Sequence, residues 1–377
     1  MDNIFENVKK NFGFGMMRLP MVGEDVNIPQ VIKMVDAFMA AGFNYFDTAH
    51  GYLNHKSELA VRECLASRYP RDSFVLTDKL SIHYFRKEED IRPLFQKQLD
   101  ACGVEYFDFY LMHAMSLKRL PHFQQTKAME TMLSLKAEGK IKHIGMSFHD
   151  SAEALEQILN VYPQLEVIQL QFNYADYEDE NVQSKKCYEV CQSHGKPVIV
   201  MEPVKGGSLV NLPETAQSIF DKLNGGSNAS YAIRFAAGFS GIKMVLSGMS
   251  NMEQLLDNLH FMTDFKPLNQ EELAAVKKVQ TILRNQGLIP CTDCRYCTEV
   301  CPQSIAIPEL FTALNAKRQN ETVQALSNPV SCLGCGKCED ICPQQLKIRE
   351  LLTVAAEELR LIHGFIKSIR KYPISST

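Results

Sequence analysis

The sequence lacks three features that would each assign a class of protein. Its charges nearly balance, with 40 Lys and Arg against 44 Asp and Glu, so no basic excess indicates nucleic acid or an anionic membrane as a partner. It has no run of about 18 apolar residues, the length that a membrane-spanning helix needs. Residues 1–15 carry charges and lack the apolar stretch of a secretory signal. We therefore expect a soluble cytoplasmic protein that binds neither nucleic acid nor membranes.

A Gly-x-Gly-x-x-Gly turn between a strand and a helix is also missing. Gly13-Phe14-Gly15 is followed by Met-Met-Arg-Leu-Pro, a segment that does not begin a helix. A doubly wound open sheet is therefore disfavoured. Hydrophobic residues make up 45% of the 377 residues and are spread along the chain, which argues against disorder. This length suits two or three folding units, or one α/β barrel with a smaller domain.

The sequence does contain a repeated alternation of strand-like and helix-like segments. Short runs rich in β-branched and aromatic residues are separated by longer amphipathic stretches. Strands that alternate with helices indicate a parallel sheet, and eight such units in about 250 residues favour a closed (β/α)8 TIM barrel of the α/β class. The predicted strands are residues 12–19, 43–49, 73–80, 107–114, 140–148, 166–173, 196–203 and 241–248, and helical patterns include 28–41, 88–102, 126–138, 181–193 and 251–261.

Polar residues end three successive predicted strands. Asp47 ends the second strand, Lys79 the third and His113 the fourth, at spacings of 32 and 34 residues. The carboxyl ends of neighbouring barrel strands meet at one rim, where enzymes of this fold carry out their chemistry. We therefore expect these three ionisable groups to converge.

A tyrosine accompanies them, since Tyr52 follows in the loop after the second strand. A phenol is a poor acid at neutral pH unless an adjacent ammonium, such as that of Lys79, stabilises its anion. Asp47 would keep Lys79 ionised and oriented, and His113 would donate a hydrogen bond to a carbonyl oxygen. The group is suited to delivering a proton to an oxygen that gains negative charge as hydride reaches its carbon.

The chain here resembles the aldo/keto reductase family, over about residues 10–262. The resemblance rests on Asp47-Thr-Ala-His-Gly-Tyr52, Lys79 and His113, which match the family's catalytic tetrad in type, order and strand position. It implies an oxidoreductase that reduces an aldehyde or ketone with NAD(P)H, or oxidises the alcohol, with Tyr52 as proton donor. The implied substrate is a small carbonyl compound or alcohol.

The resemblance also implies a nicotinamide cofactor bound over the rim. Many members carry a Tyr that stacks on the nicotinamide ring where this chain has Glu202. Many also carry basic residues that bind the 2′-phosphate of NADP, at the positions of Gly248 and Gln254. Both NADP and NAD therefore stay open as the cofactor. For Gln254 and Asn258, a polar pair on a surface helix is the alternative interpretation. The residues that match cofactor-binding positions are Ser147, Gln169, Gly206, Gly248, Ser250, Gln254 and Asn258.

Eight of the 12 cysteines lie between positions 291 and 342, in the run Cys-x2-Cys-x2-Cys-x3-Cys-Pro written twice. This is the pattern of bacterial two-cluster ferredoxins, in which the fourth cysteine of each run ligates the other cluster. Zinc would leave part of each run unused, and disulfides do not suit an intracellular chain. The sequence therefore predicts two 4Fe-4S clusters, one held by Cys291, Cys294, Cys297 and Cys342 and the other by Cys332, Cys335, Cys338 and Cys301.

Three parts of the chain follow from these patterns. Residues 1–265 are predicted to form the barrel, residues 266–288 a linking helix, and residues 289–377 a small ferredoxin-type domain. That domain is expected to be mainly α-helical, because the segment between the two cysteine runs shows no strand alternation. Within these parts we expect a linking helix over residues 269–285 and a terminal helix over residues 346–368.

Three other residues have alternative interpretations. Cys187 and Cys191 are one helical turn apart, and we expect buried apolar side chains there rather than a pair of metal ligands. His50 lies beside the tetrad in sequence and either contacts substrate or is an ordinary residue of the rim.

The two predicted activities do not couple directly. Nicotinamide moves two electrons as one hydride, each cluster moves one, and no flavin signature joins them. A second hypothesis is therefore an iron-sulfur electron-transfer protein in which the barrel is a docking or scaffold unit. In the first hypothesis the clusters serve a redox partner, a redox sensor or the architecture of the protein. In the second, a ferredoxin or a flavoprotein is the expected redox partner.

Overall fold

The computed structural model describes residues 4–319 and 332–359. Over these residues the chain divides into two compact units. One comprises Met1–Val204 and Leu209–Gln280, and the other comprises Lys205–Ser208 and Thr281–Thr377, so a short segment after residue 204 groups with the C-terminal part.

The first unit is a closed barrel of eight parallel strands, which confirms the predicted fold class. Strands adjacent in sequence pair with one another, and the first barrel strand pairs with the last. A short antiparallel hairpin, β2 (Met21–Val22) and β3 (Asp25–Val26), was not predicted. The barrel strands are β1 (Phe12–Gly15), β4 (Tyr45–Asp47), β5 (Val75–Leu80), β6 (Phe107–Met115), β7 (Ile141–Phe148), β8 (Val167–Gln171), β9 (Val198–Met201) and β10 (Ile242–Gly248).

Helices follow the barrel strands, as the alternating pattern predicted. Several begin at a side chain that accepts a hydrogen bond from the first turn, for example Asn27, Ser151 and Asn251. Five predicted helices are present, and five others had not been singled out. The helices are α1 (Ile28–Ala40), α2 (Lys56–Val61), α3 (Glu88–Cys102), α4 (Leu120–Gln125), α5 (Ala128–Ala137), α6 (Ala152–Val161), α7 (Ser184–Ser193), α8 (Glu214–Phe220), α9 (Asn228–Ala237) and α10 (Met252–Met262).

Strand side chains alternate between the barrel interior and the layer of helices. Tyr45 and Leu111 belong to an interior cluster, whereas their neighbours Phe46 and Met112 belong to the larger core between strands and helices. Residues two apart on a strand share a face, so this phase also directs the polar residues at the strand ends. The interior cluster comprises Tyr45, Val75, Phe109, Leu111, Val167, Ile199, Met244 and Leu246.

The second unit is helical over its described residues. The linking helix α11 (Gln270–Asn285) agrees with the predicted one and crosses the boundary between the two units. The predicted terminal helix is present as α15 (Ile348–Glu358), and its last predicted residues lie outside the described ones. The remaining helices are α12 (Tyr296–Glu299), α13 (Ile307–Arg318) and α14 (Lys337–Ile341). Among all helices in the described residues, none is both long enough and apolar enough to cross a bilayer.

Candidate functional site

Three of the four predicted catalytic residues lie on adjacent barrel strands and on the same face. Asp47 is two residues beyond the interior Tyr45 on β4, and His113 is two residues beyond the interior Leu111 on β6. Lys79 on β5 is in register with Leu111, and Asp47 is in register with Thr77. Each polar residue therefore continues an inward-facing row at the carboxyl end of its strand.

Lys79 is the centre of this group. Its ammonium donates to Asp47 Oδ1 at 2.6 Å, to the Thr48 carbonyl oxygen at 2.7 Å and to Tyr52 Oη at 3.3 Å. The ammonium also lies 4.8 Å from the centre of the Tyr52 ring. Because Lys79 is 1% exposed and Asp47 4%, this ion pair is shielded from water and its geometry is well defined. The structure thus brings the phenol, the ammonium and the carboxylate together as expected.

The loop that carries Tyr52 has an unusual backbone. Leu53, Asn54 and His55 are three successive residues with positive φ angles of 52°, 53° and 66°. Such a run is costly without glycine, so surrounding contacts must hold it. One such contact joins Thr48 Oγ1 to Ser57 Oγ at 2.7 Å, within the core. The loop therefore fixes Tyr52 at the expense of local strain.

His113 completes the group, with its ring centre 6.0 Å from that of Tyr52. Its Nδ1 lies 2.5 Å from Ser81 Oγ, a contact that fixes the orientation of the imidazole. Removal from water, and then the positive charge of Lys79, lower the pKa of His113 well below its ordinary value. The ring is therefore neutral at neutral pH, and when Nδ1 accepts the Ser81 proton, Nε2–H is available as a donor.

Ser81 was missed by the sequence analysis. It lies two residues beyond Lys79 and one position beyond the end of β5, so the two-residue period that places Lys79 inward also applies to Ser81. That period is the signal that would have identified it.

Two residues that match cofactor-binding positions of the family are paired in register. Ser147 on β7 is the partner of Gln169 on β8. Gln169 Nε2 donates to Asp47 Oδ2 at 3.1 Å, and Ser147 Oγ accepts from the Ala114 amide at 2.7 Å. That amide lies at an irregularity of β6, where Ala114 has a φ of 53°. Both side chains keep further hydrogen-bonding capacity, because the Ser147 hydroxyl proton and the Gln169 carbonyl oxygen take no part in these bonds.

The segment after β10 brings together four of the other predicted cofactor residues. Gly248, at the end of β10, pairs with Gly15 of β1. Ser250 and Gln254 are joined by a 2.7 Å hydrogen bond from the Ser250 amide to Gln254 Oε1. Asn258 is buried and donates to Ser247 Oγ at 3.2 Å, so it does not form a surface pair with Gln254.

Arg18 was another omission of the sequence analysis. A Cβ on Gly248 would lie 3.1 Å from Arg18 Cβ, so the glycine provides the space in which the arginine stem packs. Ser250 Oγ also donates to the Arg18 carbonyl oxygen at 2.9 Å. The end of β10 therefore has a basic side chain next to it, although Gly248 and Gln254 are not basic.

Gly206 is the remaining residue that matches a cofactor-binding position. Gly206 belongs to the second unit, where its φ is 65° and an added Cβ would lie 2.5 Å from the Thr292 carbonyl oxygen. Glu202 has a left-handed backbone with a φ of 58°, and its carbonyl oxygen accepts from Asn173 Nδ2 at 3.0 Å.

The eight clustered cysteines line two cavities in the second unit. Each cavity contains three cysteines of one run and the fourth cysteine of the other, the arrangement in the predicted ligand sets. One is lined by Cys291, Cys294, Cys297 and Cys342, and the other by Cys332, Cys335, Cys338 and Cys301.

The surroundings of these thiols fit iron-sulfur clusters. Apolar side chains such as Ile307 and Phe311 complete the cavity walls, and the Gly334 amide donates to Cys332 Sγ at 3.4 Å. Four thiols around one apolar cavity suit a cluster that binds them as thiolates and fills the space.

The cysteines and the histidine with open interpretations are buried. Cys187 and Cys191 belong to the core of the first unit, as expected of apolar side chains. His50 is 2% exposed and its Nδ1 lies 2.8 Å from Glu58 Oε2. It is therefore not an exposed residue of the rim.

Comparisons with known proteins give matches to both the N-terminal and the C-terminal part of the chain. The model of the aldo/keto reductase family matches residues 11–281, and that of a 4Fe-4S dicluster domain matches residues 290–346. An NADH-specific methylglyoxal reductase of Escherichia coli is 30% identical over 207 residues, 50% of this chain and 59% of that protein. Human aldo-keto reductase family 1 member C3 is 30% identical over 183 residues, 42% of this chain and 55% of that protein. The chain thus spans somewhat more than half the length of these relatives.

Solved structures show the same barrel. An aldo-keto reductase from Klebsiella pneumoniae in complex with NADPH has a TM-score of 0.59 at 21% identity, covering 72% of this chain and 90% of that one. The holo form of an aldo-keto reductase from Bacillus halodurans also has a TM-score of 0.59, covering 71% and 91%. At this identity the likeness concerns the fold. Because the family model matches well over half of the sequence, the chain belongs to the aldo/keto reductase family, and a 4Fe-4S dicluster domain follows its barrel.

Proposed function

We propose that the barrel rim reduces a small aldehyde or ketone with NADH or NADPH, or oxidises the corresponding alcohol. The observation that carries this proposal is the position of the Lys79 ammonium, which contacts both Asp47 Oδ1 and Tyr52 Oη. A buried ammonium beside a phenol favours the phenolate and so makes the phenol a better acid. Complexes with NADPH among solved structures of the same fold support the choice of cofactor.

In this proposal Tyr52 holds the proton that the reaction consumes. When bound, a nicotinamide would supply the hydride for the carbonyl carbon. Tyr52 Oη would give its proton to the oxygen, so that an alcohol forms and a phenolate remains. Lys79 stabilises that phenolate, and Asp47 keeps Lys79 charged and in place. Solvent returns a proton to Tyr52 after the alcohol leaves.

His113 would bind the carbonyl oxygen. As a neutral ring with Nδ1 at Ser81, it offers Nε2–H to the oxygen, and this hydrogen bond strengthens as negative charge develops. A neutral imidazole does not compete with Tyr52 as a proton donor. The polarisation of the carbonyl group and the delivery of the proton are thereby assigned to different residues.

Ser147 and Gln169 are the residues that would hold the carboxamide, since they lie in register on neighbouring strands beside Asp47. Gly248, Ser250, Gln254 and Asn258 would hold the adenosine end, with the N-terminus of α10 facing a phosphate. For Gly206, a role in cofactor binding is proposed only because the residue matches a cofactor-binding position of the family.

The two 4Fe-4S clusters would be held by the cysteines that line each cavity, four to a cluster. Each would exchange single electrons, and a ferredoxin or a flavoprotein of the same cell is the partner whose chemistry fits. Of these partners only a flavoprotein would join the two electrons of a hydride to the single electrons of the clusters, because a flavin carries out both kinds of transfer.

Replacement of Tyr52 by Phe tests the proposed reaction. The variant should lose at least about a hundredfold in kcat for aldehyde reduction, because general acid catalysis contributes about that much, while its clusters remain intact. Anaerobic preparations would be assayed with NADH and NADPH against carbonyl compounds that include methylglyoxal. The control is Tyr106→Phe, since Tyr106 precedes β6 at the end opposite His113. Unchanged turnover in Tyr52→Phe would refute the mechanism and favour the barrel as a scaffold for electron transfer.

A further inference from the structure

A second group of ionisable side chains lies in the barrel wall, behind Lys79. Asp78 follows the outward phase of β5, and its Oδ2 lies 3.8 Å from Cys102 Sγ of α3. The side-chain ligand atoms of Glu58, Asp78 and Cys102 all lie within 4.8 Å of one another. None of the three residues is more than 1% exposed. Two carboxyl groups and a thiol therefore lie together in one buried space.

One carboxylate oxygen in this space is left without a partner. Glu58 Oε2 lies 2.8 Å from His50 Nδ1, whereas the buried Glu58 Oε1 has no donor in hydrogen-bond geometry, and the carboxyl group interacts with the side chains of Asp78 and Gln98. Two ionised carboxylates side by side in a low dielectric repel each other strongly, and each also loses its hydration. A proton between them removes one charge and gives the orphaned oxygen a partner.

The groups around the pair do not neutralise it. The thiol of Cys102 and the phenol of Tyr110 are both neutral, because burial raises the pKa of each well above its ordinary value. Burial lowers the pKa of His50, which favours its neutral form. Across the loop, His55 is next to His50, and its pKa is lowered by burial as well. Two cations act on the pair from a distance. The buried Lys79 ammonium lowers the pKa of Asp78, and the exposed Lys97 of α3 lowers that of Glu58, but burial outweighs both.

We propose that Glu58 and Asp78 share one proton and that this protonated pair positions Tyr52 relative to Lys79. The pair contacts the backbone on both sides of the catalytic group. Asp78 Oδ1 accepts from the Lys79 amide at 2.7 Å. Gln98, whose side chain interacts with Glu58, donates from Nε2 to the Lys79 carbonyl oxygen at 3.1 Å. Glu58, through His50, holds the strained loop that carries Tyr52. Glu58, Asp78 and His50 are thus positioning residues.

The direction of the pH effect follows from the burial of the pair. Burial raises the pKa of Glu58 to about 7 and that of Asp78 well above its ordinary value. An acid whose pKa rises on folding stabilises the fold while it is protonated, and this contribution declines as the pH rises from the unfolded pKa to the folded one. Loss of the shared proton leaves two adjacent carboxylates, whose repulsion pushes the His50 segment outward and separates Tyr52 from Lys79.

Infrared spectroscopy of the whole chain tests the shared proton without any turnover. The wild type should show the carbonyl band of a protonated carboxyl group, and the band should disappear as the pH is raised through the pKa of the pair. Glu58→Gln and Asp78→Asn should each abolish the band, because a single proton is shared. Glu63→Gln, which changes an exposed carboxyl just after α2, should keep it. Absence of the band in the wild type, or its persistence in both pair variants, would overturn the proposal.

A pH profile tests the positioning role, which rests on the proposed reduction at Tyr52. The wild-type kcat should fall by about tenfold between one pH unit below and one above the pKa of the pair, the ratio of protonated fractions. In Glu58→Gln the amide donates permanently to Asp78, so this ionisation should vanish from the profile while the rate on its acid side is kept. A Glu58→Gln profile that superimposes on that of the wild type would reject the positioning role. A missing carbonyl reductase activity would not affect the infrared result.

Metal analysis provides a separate contradiction. One equivalent of zinc in the purified wild-type chain, lost on Cys102→Ser, would assign the same three side chains to a metal ion and would overturn the shared proton. We expect no zinc that depends on Cys102, because its thiol lies within hydrogen-bonding distance of Asp78 and is neutral.

Discussion

Gln169 donates a hydrogen bond to Asp47 across the mouth of the barrel, although 122 positions separate them in the sequence. The bond joins Gln169 Nε2 to Asp47 Oδ2 at 3.1 Å, while Oδ1 of the same carboxylate accepts from Lys79. Both oxygens of the buried carboxylate are therefore in use. A residue that matches a cofactor-binding position thus also supports the acid–base group.

Replacement of Gln169 by Leu should weaken both the hydrogen bonding of Asp47 and the binding of the cofactor. The change leaves Asp47 Oδ2 buried without its donor, which costs about 1–3 kcal/mol of unfolding free energy, and kcat should fall together with cofactor affinity. Denaturant unfolding and steady-state kinetics measure the two effects. Gln164→Leu removes an exposed amide from the same unit and should change neither. Full stability in Gln169→Leu would show that the hydrogen bond is dispensable.

Ser81 should determine which ring nitrogen of His113 carries the proton. Ser81→Ala removes the partner of Nδ1, so the ring can adopt the wrong tautomer or rotate, and kcat should fall by about tenfold, the equivalent of one hydrogen bond. Ser81→Thr keeps the hydroxyl group and should restore most of the rate. Equal rates for the Ala and Thr variants would disprove this role. Turnover under saturating cofactor and substrate is the required measurement.

The imidazole of His113 should stay neutral well into acid. Its pKa is lowered by removal from water and by Lys79, so the ring should stay neutral as the pH falls through its ordinary pKa of 6.5. Because the unfolded chain binds this proton and the native one does not, His113 contributes a loss of stability as the pH falls below its ordinary pKa of 6.5. Nuclear magnetic resonance of histidine labelled with nitrogen-15 follows the ring directly.

Lys79→Met provides the matched comparison for that titration. Removal of the neighbouring positive charge should raise the pKa of His113, and the shift should be absent in Lys118→Met, which changes a lysine beyond the end of β6. A His113 that titrates at its ordinary value in the wild type would contradict the neutral donor.

Pairs of cysteine variants should reveal which residues share a cluster. Each single Cys→Ser change should reduce the anaerobic iron content from about eight atoms per chain to about four. Cys291→Ser combined with Cys342→Ser should lose no more iron than either alone, because both side chains line one cavity. Cys291→Ser combined with Cys301→Ser should lose nearly all of it, since those side chains line different cavities. The reverse result would mean that each run holds its own cluster.

Much of the architecture was predictable because it is written locally. The eight strands, the linking helix and α13 each arise from a periodicity that operates over a few residues. The hairpin of β2 and β3 escaped, since strands of two residues are too short to show an alternation. Short helices such as α4, with six residues, carry a similarly weak signal.

The candidate site was predictable in part for the same reason. Asp47, Lys79 and His113 each end a recognisable strand, and the barrel closes those ends together. The roles of these residues and of the cofactor residues stay predictions. The proximity of Glu58 and Asp78 was not predicted, because neither residue belongs to a motif. The fold brings Glu58 of α2 beside Asp78 of β5.

The sequence by itself determined the alternation of strands and helices, the order of the tetrad and the two cysteine runs, because spacing along one chain is enough to specify them. Only the tertiary structure decided that Gln169 donates a hydrogen bond to Asp47 and that Ser147 accepts one from the Ala114 amide. It also decided that the side chains of Glu58 and Asp78 lie close together in a buried space. The physical reason is that hydrogen bonding and desolvation depend on the distance between side chains in space. For residues on different strands and helices, that distance is set by how the barrel closes and packs.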